Sequence, residues 1–258
     1  MTGKVNTDFL GRKVFFLYPS VFIQNKVINA LAQKEFEVYS VRDENKLRKV
    51  LKKYPNSIVF VNISEGLLEH EWENWIKSVM ADSATAGVDI GVIAYGENAA
   101  IRQKYTEKLE VSCDYTVMKP DLSAVVKQLA GILNKANAKD RRKYVRVFIG
   151  KGTNNIATIP INGNFISGDI IDISMAGFSC FLAEDPDLTR NSHFTNIQLQ
   201  LGNQTLKVQG MFFASRLKGA EKVYIFLFTQ YIALEVQTEI RKFISSLLQQ
   251  RIDKELEK

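Results

Sequence analysis

Cysteine and histidine are scarce in this 258-residue chain, with two of each: Cys113, Cys180, His70 and His193. No metal-ligand spacing can be assembled from so few, so no metal site and no metal cofactor are expected. The two cysteines stand in separate strand-like runs, where buried free thiols are expected. Long apolar runs are missing as well. None is long enough to cross a bilayer, and no apolar segment follows the opening Met1-Thr2-Gly3-Lys4-Val5-Asn6, so a cytoplasmic protein without membrane insertion is expected. Charge of one sign is lacking outside one short stretch, and no nucleophile–base pair of an enzyme can be recognised. No catalytic residue is assigned. What is present is a 46% hydrophobic composition, enough to build packed cores in two domains of ordinary size.

The charged stretch is Lys135 to Lys151, reading KANAKDRRKYVRVFIGK. It holds seven of the 34 basic residues (Lys135, Lys139, Arg141, Arg142, Lys143, Arg146 and Lys151) and one of the 28 acidic ones, Asp140, which leaves 27 of each sign elsewhere. The net charge of +6 is therefore local. A guanidinium cluster confined to a domain junction points to a small phosphate-bearing ligand and away from a protein that coats nucleic acid.

Arg142 and Arg146 are four residues apart and open a strand-like run, Val145 to Ile149. Further on, Gly168-Asp169-Ile170-Ile171 leads into Asp172-Ile173-Ser174-Met175-Ala176-Gly177. At these positions the chain resembles the PilZ family of cyclic di-GMP receptors, whose signature is Arg-x-x-x-Arg followed by Asp/Asn-x-Ser-x-x-Gly. The resemblance covers the C-terminal half to near Tyr231. It implies that Arg142 and Arg146 grip the dinucleotide and that Asp172 and Ser174 hold a guanine, with Arg141 a further contact. The residue types suit that chemistry. A guanidinium matches phosphate oxygens or the O6/N7 edge of guanine, and a carboxylate accepts from guanine N1–H and N2–H. Gly177 would supply a turn with positive φ or a close approach to the ligand. The plain alternative is a solvated linker followed by an ordinary hairpin.

The N-terminal half alternates apolar strands with amphipathic helices. Strands are expected over 14–18, 36–41, 57–63, 88–94 and 114–118, and helices over 23–34, 44–53, 69–80, 99–109 and 122–133. Five such βα pairs with continuous apolar strands predict a doubly wound, flavodoxin-like parallel sheet. Its close, Val117-Met118-Lys119-Pro120, resembles the response-regulator receiver domain. The departures matter more. Tyr18-Pro19-Ser20 replaces the acidic residues after strand one, Val61-Asn62-Ile63 replaces the phosphate-accepting Asp, and Ala94 or Tyr95 replaces the Ser/Thr after strand four. Lys119 is left as a structural or surface lysine, and the domain reads as a degenerate receiver.

After Asn137 seven short strands are expected (145–149, 156–161, 165–173, 177–182, 194–201, 205–213 and 223–228), the pattern of an antiparallel barrel. Most aromatics, Phe15, Phe16, Phe60, Phe212, Phe226 and Phe228 among them, lie in apolar runs and are expected in cores. Tyr144, between the two motif arginines, either stacks on ligand or tucks into the barrel. From Ala233 an apolar stripe (Leu234, Ile240, Phe243, Ile244, Leu247, Leu248, Ile252, Leu256) predicts a long helix that covers its own domain's open end or joins two copies of the chain. The expected organisation is thus an α/β receiver-like domain at 1–137 and an all-β PilZ-like barrel with a C-terminal helix at 138–258. The expected function is a cyclic di-GMP receptor that changes domain arrangement and acts on an unidentified protein partner. A ligand-free adaptor, a basic nucleic-acid binder and a phosphotransfer enzyme are the competing readings.

Overall fold

The computed structural model describes residues 11–229 and 232–258, so expectations that fell on Met1–Asn6 and Tyr231 lie outside it. The described residues form two compact units. One comprises those up to Lys143 together with Leu248–Lys258, the other those of Tyr144–Leu247.

In the first unit β1 (Val14–Leu17), β2 (Val38–Val41), β3 (Ile58–Asn62), β4 (Asp89–Ala94) and β5 (Tyr115–Val117) make a parallel sheet in the order β2-β1-β3-β4-β5. Between and after them run α1 (Ile28–Gln33), α2 (Glu44–Lys53), α3 (Glu69–Ala81), α4 (Ala99–Gln103) and α5 (Leu122–Lys135). The uninterrupted apolar strands follow from burial on both faces. Along β1, Phe15 and Leu17 enter a core with Trp72 and Ile76, while Val14 and Phe16 enter another with Leu31 and Leu129. Helix starts are fixed by side chains that accept orphan backbone N–H groups: Asp43 before α2, Asn98 before α4 and Asp121 before α5. The doubly wound sheet is the one expected.

Three details differ from the sequence reading. Single π-helical turns, Ile23–Val27 and Lys104–Lys108, replace part of the helices expected at 23–34 and 99–109. Strand β2 begins at Val38, not Phe36, because the Phe36 amide still bonds to the Leu31 carbonyl in the closing turn of α1, with Glu35 at φ +63°. Cys113 is buried, but in a turn before β5, where its amide bonds to the Ile90 carbonyl. Burial first, and then the Asp89 carboxylate, push the Cys113 thiol up to about 11. Cys180 is likewise buried and raised, by burial. Both are free thiols.

The second unit holds β6 (Arg146–Phe148), β7 (Asn155–Ile161), β8 (Asn164–Ser174), β9 (Gly177–Phe181), β10 (His193–Leu201), β11 (Gln204–Lys218) and β12 (Glu221–Phe228). All pairings are antiparallel, in the order β6-β8-β7-β10-β11-β12-β9, and a β8–β9 pairing closes six strands into a barrel with β6 appended to β8. The β7–β8 hairpin turns on Asn162 and Gly163, both at positive φ, as an Asn-Gly pair favours. Gly168 is required by crowding: a Cβ there would stand 1.6 Å from the Phe181 carbonyl oxygen. Phe226 centres the core, its ring 5.3 Å from that of Phe178 and 5.8 Å from that of Phe212. Phe228, expected in the core, is only half-buried. Strand β11 runs five residues past its expected end at Phe213, carried through by a bulge between Phe212 and Ala214.

The long C-terminal helix is α6 (Leu234–Leu256). The last part of its stripe belongs to the first unit, where Ile252 is buried in the α/β core with Leu248 and Leu256 against it. These last turns also hold the edge of the parallel sheet. The Gln249 side-chain amide accepts the Ser40 N–H at 3.0 Å and donates to the Ser40 carbonyl at 2.9 Å, so one side chain satisfies both backbone groups of that β2 residue. Beside it Glu255 accepts from the Tyr54 hydroxyl at 2.9 Å and pairs with Lys53. Replacing Gln249 with Ala is expected to cost about 1–2 kcal/mol. It should also speed amide exchange at Ser40, as native-state hydrogen exchange would measure.

Candidate functional site

Strand alternation builds the site in the second unit. In the β6–β8 register Arg146 lies opposite Ser174, Val147 opposite Ile173 and Phe148 opposite Asp172. Val147 and Ile173 are fully buried, so Arg146, Ser174 and Asp172 share the other face. The β8–β9 hairpin then folds Gly177 back against Ser174. The Ser174 hydroxyl accepts from the Ala176 N–H at 3.3 Å and donates to the Gly177 carbonyl at 3.4 Å, which braces the turn. Asp172 is 9% exposed; its Oδ2 accepts a 2.6 Å hydrogen bond from the Ser179 hydroxyl, and its Oδ1 lies 3.4 Å from Arg146 Nη1. These residues line a cavity of about 240 Å³ together with Phe213, Arg216 and the β12 residues Ile225, Phe226 and Leu227.

Four of the six residues singled out in the sequence, Arg146, Asp172, Ser174 and Gly177, therefore meet in one cavity. Arg141 and Arg142 are exposed and belong to the first unit, outside this lining; the Arg142 N–H donates to the Asp140 carboxylate at 3.2 Å. Tyr144, at the start of the second unit, is half-buried. Gly177 has φ +154°, and a Cβ there would stand 2.1 Å from the Phe226 carbonyl oxygen. The close approach that demands glycine is thus made to the backbone of β12.

Among the lining residues that the sequence reading did not assign to the site, three stand out: Phe213, Arg216 and Ser179. Phe213 and Arg216 are three apart, an odd spacing that puts two side chains on opposite faces of an unbroken strand. The bulge at Phe213 resets the alternation and turns both to the cavity. Phe213 stays 37% exposed, with the Arg190 guanidinium 5.1 Å above its ring. Ser179 is the third, and it too is delivered by a bulge.

No family model matches the chain, and no curated protein matches it. Among solved structures it is similar to the PilZ domain with c-di-GMP of YcgR from Escherichia coli (TM-score 0.38, 16% identity, covering 45% of this chain and 97% of that one). It is also similar to the K. pneumonia MrkH–c-di-GMP complex (TM-score 0.40, 19% identity, 45% and 57%). A third is a response regulator from Thermotoga maritima (TM-score 0.40, 19% identity, 48% and 99%). The match spans 50% of YcgR in its own complex with c-di-GMP.

In the first unit the corresponding region is the C-terminal ends of the parallel strands, where doubly wound sheets bind ligands. Asn62 ends β3 at 1% exposure. Its side chain donates to the Tyr18 carbonyl at 2.9 Å and accepts from the Ser64 N–H at 3.2 Å, so both ends of the amide are committed internally. Tyr18, at φ +50°, packs edge-on to Trp72 at 5.6 Å and donates to Glu44 at 3.0 Å. Its phenol is pushed up to about 12, by burial first and then by Glu44, so it is neutral at physiological pH. The Ser20 and Tyr95 hydroxyls are hydrogen-bonded to each other, and Lys119 is exposed after β5. Among the described residues no group of three His, Cys, Asp or Glu is placed to hold a metal ion, and no helix is long and apolar enough to cross a membrane.

An aspartate at position 62 would set a carboxylate oxygen against the Tyr18 carbonyl oxygen. Asn62→Asp is therefore expected to destabilise the first unit by about 1–3 kcal/mol. Incubation with acetyl phosphate and Mg²⁺ should leave the mass of both the parent and this variant unchanged.

Proposed function

We propose that this protein is a non-catalytic receptor for cyclic di-GMP, with the ligand seated in the cavity beside β6, β8 and β9. The observation that carries the reading is the convergence of Arg146, Asp172 and Ser174 on one face of that cavity, within the register of three strands. Together they present a guanidinium fork, a carboxylate and a hydroxyl. That set complements a guanine nucleotide: the fork takes phosphate oxygens or the O6/N7 edge, the carboxylate takes N1–H and N2–H, and the hydroxyl adds one bond. Phe213 contributes an aromatic face and Arg216 a second cation. Gly177 keeps the hairpin close to β12 so that the cavity has a floor.

Arg142 and Arg141 precede Arg146 by four and five residues in one covalent segment, and we assign them to the ligand's phosphates. On this reading 1–137 and 138–258 are the two domains, the connecting segment orders when the dinucleotide binds, and the domain arrangement changes so as to present or withdraw a surface for a protein partner. Seven basic groups in that segment repel one another, and a dianion relieves part of the repulsion. The coupling can be no larger than the ligand's difference in affinity for the two arrangements. A cytoplasmic location, where such a messenger would be met, belongs to the same proposal.

Titration calorimetry with cyclic di-GMP tests it. Arg146→Ala and Arg142→Ala should each weaken binding by about 2–5 kcal/mol while leaving the fold intact, and Lys139→Ala should bind like the parent. Equal losses in all three variants would mean nonspecific attraction, and parental binding by Arg146→Ala would remove the site. Hydrogen exchange should show protection rising over 139–148 and 172–177 with ligand; protection confined to 172–177 would remove the linker coupling but leave the site.

A further inference from the structure

The carboxylate is held from behind. Along the start of the β8–β9 pairing Ile170 lies opposite Cys180, a register that would set Asp172 opposite Phe178. A bulge between Ile170 and Asp172 shifts the pairing by one, so that Asp172 lies opposite Ser179 and Phe178 moves opposite Ile173, where both are buried in the barrel. An apolar ring is thereby exchanged for a hydroxyl beside the one carboxylate among the described residues that line the cavity.

Ser179 is 4% exposed, and its hydroxyl donates to Asp172 Oδ2 at 2.6 Å. Arg146 approaches the other oxygen, Oδ1, at 3.4 Å. The hydroxyl thus fixes the rotation of the carboxylate about its Cβ–Cγ bond and assigns its oxygens different tasks. Oδ2 is tied to the barrel wall, with one lone pair committed to Ser179. Oδ1 is the oxygen Arg146 can yield. Without the Ser179 donor the guanidinium fork would be able to draw both oxygens into a bidentate pair, the geometry Arg prefers with a carboxylate, and the acceptor edge that a base must meet would be lost.

Resting on the cyclic di-GMP reading above, we infer that Ser179 is a positioning residue that aims the Asp172 carboxylate at the guanine 2-amino group, and so sets the selectivity of the cavity for guanine over bases that lack this group. It acts through Asp172 and does not itself contact ligand.

The test uses the full chain and three dinucleotides with the same phosphates: cyclic di-GMP, cyclic di-IMP, which lacks only the 2-amino group, and cyclic di-AMP. The parent is expected to prefer cyclic di-GMP over cyclic di-IMP by about tenfold or more, the range of a hydrogen bond to a charged group. In Ser179→Ala that ratio should fall towards one, and Ser179→Thr, which restores a hydroxyl on a strand-compatible side chain, should recover it. A merely structural serine would lower all three affinities together and leave the ratio where it was. A Ser179→Ala protein with the parental ratio overturns the inference, whatever its absolute affinity, as does a parent that binds cyclic di-GMP and cyclic di-IMP equally. If Ser179→Ala does not fold, Ser179→Cys, a weaker donor of similar size, should give an intermediate ratio, and a parental ratio there overturns it too. A parent that binds no cyclic dinucleotide overturns the receptor reading itself, and this inference with it.

Discussion

Side chains alternate across a β-strand, and that rule limits what the outer face of a small barrel can gather. Each regular strand gives every second residue to the core and leaves the rest to the outside. Around the cavity of the second unit the limit is met by ordinary alternation in β6, where Val147 goes inward and Arg146 outward. It is broken in two other places. A bulge in β8 sets Asp172 against Ser179, and a bulge in β11 turns Phe213 and Arg216 to the same side. The cavity's chemistry is therefore a product of irregularity in the pairing, laid over a core that is itself regular.

This explains which parts could be read in the chain. The parallel sheet was legible because burial on both faces leaves an unbroken apolar run, and β1 and β3 are such runs. The hairpin of Asp172, Ser174 and Gly177 was legible only through its resemblance to a family signature, whose members lie close together in the sequence. Ser179, Phe213 and Arg216 were not. A single extra residue inverts the facing of everything after it, and in strands this short the resulting phase shift in the apolar pattern spans too few residues to be read. The π turns near Ile23 and Lys104 were hidden for a similar reason, since one inserted residue in a helix still looks helical over a short window. The fate of α6 was also hidden: its apolar stripe showed that the helix is covered, not by which unit.

In the first unit the polar groups at the C-terminal end of the sheet are turned on one another. At that end Asn62, Tyr18 and Ser64 are joined by hydrogen bonds that complete each other, and the Tyr18 ring packs on Trp72. Gly66 is pressed against that ring, where a Cβ would come within 2.9 Å. The end of a parallel sheet where ligands usually bind is here packed and internally hydrogen-bonded around Asn62 and Tyr18.

Gln249 has a consequence for the behaviour of the whole chain. The outermost strand of an open sheet offers unpaired backbone groups that another polypeptide can add to, and natural proteins blunt such edges by several devices. Here the device is a primary amide, the same functional group as the peptide bond, borrowed from a helix and laid against Ser40 as a one-residue substitute for a sixth strand. It satisfies the edge without extending it, because a side chain has no further amides to pass on. The distal turns of α6 therefore act as a terminator, and a chain that lost them would expose β2 as a template for strand addition and self-association.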